Sequence, residues 1–148
     1  MSKTTSLYHI VFSTKYRQKT IPQSVERDVY TFIWSCIKEK DSHLLRIGGM
    51  EDHIHLLVNL SPRIALADFV RHVKAKSSGW MRLDERLPDF KGWSEGYYAS
   101  SISPDVKMAV IEYINGQKVH HRASCLNDEL QSLCRSANLE YDPRDMQR

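Results

Sequence analysis

The order in which apolar runs switch between strand-like and helix-like spacing constrains this chain most. Leu7 to Phe12 reads Leu-Tyr-His-Ile-Val-Phe, rich in β-branched and aromatic residues, and a basic stretch with Pro22 beyond it closes the run as a first strand. Val25, Val29, Phe32, Ile33, Cys36 and Ile37 then recur at helical intervals, with Glu26, Arg27, Asp28, Lys38 and Glu39 among them, and Pro22 opens that helix. Two short apolar runs, Leu44 to Ile47 and Ile54 to Leu60, predict a hairpin whose slightly long loop is Gly48 to Asp52. After Ser61-Pro62, Leu66, Phe69, Val70, Val73 and Trp80 mark one face of a second helix, and Arg71, Lys74 and Arg82 fall on the other. A connection containing Pro88 and Gly92 leads to a fourth strand, Tyr97 to Ile102.

Strand, helix, strand, strand, helix, strand is the order of a ferredoxin-like (RRM-like) α+β fold, an antiparallel sheet with both crossover helices on one face. The other face needs a cover. Ser103-Pro104 is a helix start, Ser as N-cap and Pro at the first helical position, and the helix is expected to run to about His121 and to lie on that open face, within one chain or across a dimer. Residues 1–122 therefore read as one domain. Residues 123–148, with Leu126, Leu130, Leu133 and Ala137 on one stripe, read as a C-terminal helical tail for packing or dimer support.

With 148 residues, 41% of them hydrophobic and 26% charged, the chain has the material for one proper core. It contains no apolar run of membrane-spanning length, and Met1 to Ser6 lacks the apolar stretch of a secretory signal, so a soluble cytoplasmic protein with no membrane partner is expected. Cys36, Cys125 and Cys134 are an odd number without close paired spacing, which suits reduced thiols. The formal net charge of +3 permits nucleic-acid binding without requiring it, and basic residues concentrate at 15–19, 71–76 and 118–122. Any one of these clusters by itself also fits a solvated face.

His53 and His55 flank Ile54 on the predicted third strand, so both imidazoles share a face while Ile54, Leu56 and Val58 point into the opposite layer. Two imidazoles are half a metal site, and such a pair alone also fits an incidental role. Asp52 faces away in a regular strand and could stand behind the pair. On the last core helix Tyr113 and Gln117 are four apart and share a face, which lets an amide oxygen reach a metal beside a phenol; His121 continues the row. The plain alternative is that Tyr113 packs with Val106, Val110 and Ile114.

Three segments in order, Tyr8-His9-Ile10-Val11-Phe12-Ser13-Thr14-Lys15-Tyr16-Arg17, Asp52-His53-Ile54-His55-Leu56-Leu57-Val58 and Tyr113-Ile114-Asn115-Gly116-Gln117-Lys118-Val119-His120-His121, resemble the successive signatures of the single-tyrosine HUH transposases of bacterial insertion sequences, the insertion-sequence two-hundred-like family with its repeat-associated relatives. Trp93 to Ala99 resembles a further family stretch, and the part beyond about Asn127 resembles it least. The resemblance implies a transposase that cleaves and rejoins single-stranded DNA at hairpin-bearing element ends. It makes Tyr113 the nucleophile, His53, His55 and Gln117 the metal ligands, and the metal Mg2+ or Mn2+. The product would be a 5′-phosphotyrosine and a free 3′ hydroxyl, with no nucleotide cofactor, and no Gly-x-x-x-x-Gly-Lys loop occurs.

A phenol, with a reference pKa of about 10, needs such help at neutral pH. By ligand preference alone, imidazole suits zinc, nickel or manganese better than magnesium. Lys15, Arg17, Arg71, Lys74, Lys76, Arg82, Lys118, His121 and Arg122 become candidate DNA contacts. The family also implies a homodimer with composite sites, Tyr113 of one chain serving the His pair of the other. Competing readings are a catalytically idle nucleic-acid-binding regulator, a metal-dependent hydrolase lacking any visible general base, and acidic-triad transposition in a larger fold.

Overall fold

The computed structural model describes residues 2–121 and 125–148. Its elements follow the expected order: β1 (Leu7–Ser13), α1 (Glu26–Lys38), β2 (His43–Met50), β3 (His53–Asn59), α2 (Leu66–Arg82), β4 (Tyr98–Ile102), α3 (Lys107–Asn115), α4 (Gln117–His120) and α5 (Leu126–Ser136). All pairings are antiparallel and the strand order is β2-β3-β1-β4, so the fold is the ferredoxin-like α+β sheet. Ile10, Phe12, Ile54, Leu56 and Val58 project from the two central strands into one core with Val29 and Ile33 of α1 and Phe69, Val70 and Val73 of α2. Burying side chains of this size stabilises the layer by about 1.5–3 kcal/mol each.

The register fixes what the opposite face carries. Val11 pairs with His55, His9 with Leu57 and Ser13 with His53, so His9, Val11, Ser13, His53 and His55 all rise from one side of the two central strands. Two elements cover them. A short apolar cluster of Leu126, Leu130 and Met146 seals Val11 and Tyr98, which places α5 over β1 and β4. The helix α3 lies over β2, where a Cβ added to Gly48 would come within 2.9 Å of the Ile114 carbonyl oxygen.

Two boundaries differ from expectation. The hairpin is tight: β2 continues through Gly48 and Gly49 to Met50, and only Glu51 and Asp52 turn. The glycines are strand residues whose missing side chains let other backbone come close. The helix after Ser103 begins as a 3-10 turn, Pro104–Val106, with no side-chain cap from Ser103, and does not run unbroken to His121. It stops at Asn115, and Gly116 separates α3 from α4, as the low helical propensity of glycine favours.

Gly49 makes the tighter demand, because a Cβ there would overlap the His53 carbonyl oxygen and crowd the Ile54 Cα, both backbone atoms that cannot rotate away. Gly49→Ala should therefore cost about 3 kcal/mol in chemical denaturation, at the upper end of ordinary overpacking. A loss below about 1 kcal/mol would show that the hairpin shifts freely.

Candidate metal and nucleophile site

The imidazoles of His53 and His55 are fully buried and face the same layer, as strand alternation requires, with ring centroids 5.2 Å apart. Their Nε2 atoms converge on one group that sequence reasoning did not single out, the carboxylate of Glu129 on α5. Glu129 Oε1 lies 3.1 Å from His53 Nε2, 3.2 Å from His55 Nε2 and 2.8 Å from His121 Nε2. Its other oxygen, Oε2, accepts the hydroxyl hydrogen of Tyr113 and, at 2.8 Å, an amide hydrogen of Gln117. The Gln117 carbonyl oxygen in turn sits 3.1 Å from His53 Nε2. The predicted Tyr113, His53, His55 and Gln117 are thus one contiguous cluster, assembled within one chain, and the tail does more than pack because it places an acid at the centre.

Behind the pair, the two histidines are held differently. The carboxylate of Asp52 turns back to accept the Nδ1–H of His53 at 2.7 Å. His55 Nδ1 instead meets His9 Nε2 at 2.8 Å, and the two rings stack with centroids 5.1 Å apart. Burial opposes a charge on His53, yet the Asp52 and Glu129 carboxylates outweigh it and lift its pKa to about 9. Burial holds His55 down at about 4 against the pull of Glu129, and burial with His55 alongside drops His9 to about 3. Glu129, in spite of its burial, is kept well below the usual carboxylate range by hydrogen bonds from His121, His53 and His55. The Tyr113 phenol is driven upward by burial and by donating its hydrogen to Glu129.

The raised His53 value has a measurable consequence. An unfolded imidazole titrates near about 6.5, so the bound proton stabilises the metal-free fold fully below that pH, and this stabilisation is lost as pH rises through about 9. The melting temperature of metal-free protein should fall between pH 7 and 9, and His53→Ala should flatten the decline. An unchanged slope in the variant would assign the titration elsewhere.

The donor set fits a divalent cation. His53, His55 and Glu129 offer three buried ligand atoms within 4.8 Å of one another, and the Gln117 oxygen adjoins them. Two imidazoles, a carboxylate and an amide oxygen suit manganese or zinc by type, and the oxygen share also admits magnesium.

The expected DNA contacts divide by what already engages them. Lys15, Arg71, Lys76 and Arg82 are exposed; Arg71 pairs with Asp68 at 2.9 Å and Lys76 with Glu39 at 3.7 Å, both weak surface pairs. Lys74 Nζ donates to the carbonyls of Ser94 and Gly96 at 2.7 and 2.9 Å and ties α2 to the segment before β4. Lys118 Nζ bonds Glu26 and the Gly49 carbonyl, each at 2.8 Å, and pins α4 to the hairpin. The Arg17 guanidinium grips the C-terminal segment through the carbonyls of Asp145 and Met146 and through Asn127. His121 belongs to the buried cluster, its side chain only 6% exposed. Arg122 lies outside the described residues.

A sheet of this order, with a His pair on its open face and a glutamine and a tyrosine packed against it from α3 and α4, is the fold of the IS200-like transposases. The chain belongs to the IS200-like transposase family, whose model, described as "Transposase IS200 like", matches residues 2–117. It is 29% identical over 117 residues to the transposase for insertion sequence element IS200 of Salmonella typhimurium, covering 74% of this chain and 75% of that one. It is 25% identical over 115 residues to the ISDra2 transposase TnpA of Deinococcus radiodurans, covering 74% and 82%. Among solved structures it is similar to a REP-associated tyrosine transposase bound to a REP hairpin, with a TM-score of 0.63, 12% identity, and coverage of 98% of this chain and 94% of that one. Among the described residues no helix is long and apolar enough to cross a membrane.

Proposed function

We propose that this transposase cleaves and rejoins single-stranded DNA through a 5′-phosphotyrosine on Tyr113, at a site where His53, His55, Glu129 and Gln117 hold Mg2+ or Mn2+. The observation that carries the reading is the single carboxylate shared by nucleophile and His pair: Glu129 Oε2 accepts the Tyr113 hydrogen while Oε1 faces both imidazoles. A bound divalent ion would neutralise charge on the scissile phosphate and orient it for in-line attack.

The protein groups orient the phenol and carry the new bond. Glu129 Oε2 orients the phenol by accepting its hydrogen bond; as Tyr113 Oη attacks phosphorus the bond from phosphorus to the 3′ oxygen breaks, the phenol proton is released to water, and the departing 3′ oxygen takes up one proton from water to leave as a hydroxyl. Rejoining reverses each step: a 3′ hydroxyl attacks the phosphotyrosine, the bond from phosphorus to Oη breaks, and Tyr113 regains a proton. The energy of the phosphodiester is kept in the adduct, so no nucleotide cofactor enters. His53 and His55 are fully enclosed, so admitting a phosphate oxygen requires Glu129 Oε1 to leave at least one of its partners.

One chain completes the set, since Tyr113 stands with its ring 5.6 Å from that of its own His55. This favours attack within a chain over the composite homodimer that the family resemblance implies. Mixing Tyr113→Phe with His53→Ala protein should leave activity lost; recovery would establish composite sites.

Hairpin DNA is the proposed substrate, handled in the cytoplasm, with exposed Lys15, Arg71, Lys76 and Arg82 meeting phosphates. Each phosphate contact adds to a salt dependence, so binding of a hairpin oligonucleotide should weaken by about 10-fold or more between 50 and 200 mM salt. The deciding experiment incubates the protein with single-stranded oligonucleotides from the DNA flanking its gene, with Mn2+ or Mg2+, and looks for a denaturation-resistant protein–DNA band. A metal-dependent band supports the reading. Hairpin binding by metal-loaded protein with no adduct or cut strand on any flank would identify an idle binding module instead.

A further inference from the structure

His9 is a buried polar residue outside the His pair and outside the tyrosine helix, and the chemistry above gives it no task. It projects from β1 beside His55, and the edges of the Tyr98 and Tyr113 rings, with centroids 5.8 and 6.0 Å from its own, wall it in. Its Nε2 is 2.8 Å from His55 Nδ1. A contact that short between two ring nitrogens needs a hydrogen on one and a bare lone pair on the other, which ties the tautomers of the two rings together.

In the structure the direction of that bond follows from the far side of His55. Glu129 Oε1 offers only lone pairs at 3.2 Å, so His55 Nε2 carries the hydrogen, His55 Nδ1 is bare, and His9 Nε2 is the donor. A divalent cation on His55 Nε2 demands the reverse. The hydrogen then resides on His55 Nδ1, and two N–H groups cannot face each other at this distance, so His9 Nε2 must become bare and its hydrogen move to Nδ1. Each ring gives up one hydrogen and gains one, so the pair gains and loses no proton overall.

We propose that His9 is a positioning residue for the metal site: it accepts the Nδ1–H of His55 in the loaded state and so holds that ligand's metal-binding tautomer and ring plane. Asp52 does the corresponding task for His53 with a carboxylate, whereas His55 is backed by a neutral ring able to reverse its bond. The proposal rests on the reading of His53 and His55 as ligands.

Wild-type protein with 15N-labelled histidine, followed by long-range proton–nitrogen spectra during titration with diamagnetic Mg2+, reads every ring nitrogen directly. On addition of metal, His55 Nδ1 should change from bare to protonated and His9 Nε2 from protonated to bare, although His9 touches no ion. In parallel, free Mn2+ measured by electron paramagnetic resonance should show His9→Gln, which keeps an acceptor, within about threefold of wild type, and His9→Phe about 10- to 100-fold weaker, the loss typical of groups behind a ligand. If His53 and His55 respond to metal while His9 Nε2 does not, or if His9→Phe binds Mn2+ as tightly as wild type, the proposal is overturned and the ligand reading stands. If neither His53 nor His55 responds to Mg2+, and Mn2+ does not bind, the ligand reading fails and takes this proposal with it.

Discussion

Tyr113→Phe should eliminate the covalent protein–DNA band and lower strand cleavage by about 10⁴-fold or more, the scale on which removing a nucleophile acts when no neighbour can replace it. The substitution deletes one oxygen and one hydrogen bond, that to Glu129, and leaves the ring among His9, His55 and His120. Metal affinity and hairpin affinity should therefore stay within a few-fold of wild type, and the melting temperature should change little. That combination separates loss of a nucleophile from loss of a fold. A band that survives in Tyr113→Phe would transfer the role to another tyrosine; exposed Tyr16, beside Lys15, is the first to examine.

Glu129→Gln should reduce Mn2+ affinity by at least about 10- to 100-fold and reduce adduct formation further, because the amide loses both the ligand charge and the charged oxygen that orients the phenol. The side chain keeps its size, so α5 stays seated through Leu126 and Leu130. Without the carboxylate His53 also loses one of the two anions that hold its proton, and its pKa should fall from about 9 toward the ordinary imidazole value. Unchanged or tighter Mn2+ binding in Glu129→Gln would mean that the carboxylate merely fills the cluster and is not a ligand. These two variants divide the site cleanly, the first acting on chemistry alone and the second on metal and phenol orientation together.

The layer structure was legible because burial imposes a period on each element. Ile54, Leu56 and Val58 alternate with His53 and His55, so the shared direction of the imidazoles could be read from the strand before any packing was known. Tyr113 and Gln117 were legible as partners through their spacing of four. Gly116 sits between them and ends α3, yet the short α4 keeps Gln117 buried against His53. The hairpin loop was misjudged because Gly48 and Gly49 are turn-forming residues by composition; their strand conformation is set by close contact with α3 and with the return strand.

Glu129 was not legible. It sits in an amphipathic tail among Asp128, Asn127 and Gln131, where a charged residue reads as solvent-facing, and nothing local separates it from its neighbours. The one available signal was its place one residue before Leu130 and three after Leu126 on the apolar stripe, which puts it at the edge of the buried face. Nor was it legible which basic residues are already engaged within the fold: Lys74, Lys118 and Arg17 show only charge in the sequence, whereas in the structure they bond carbonyls and a carboxylate 20 to 128 positions away.

The chain's own pattern of residues was enough to determine the order of strands and helices, the face each helix buries, and the family with its His pair, glutamine and tyrosine. These depend on periods of two and 3.6 and on motifs that are contiguous in sequence. Only the tertiary structure decided which carboxylate meets the imidazoles, that His9 backs His55, and which cations are committed to the fold. Such pairings depend on sheet register and on where α5 crosses it, and a hydrogen bond between residues 46 or 74 positions apart leaves no periodic trace in the chain.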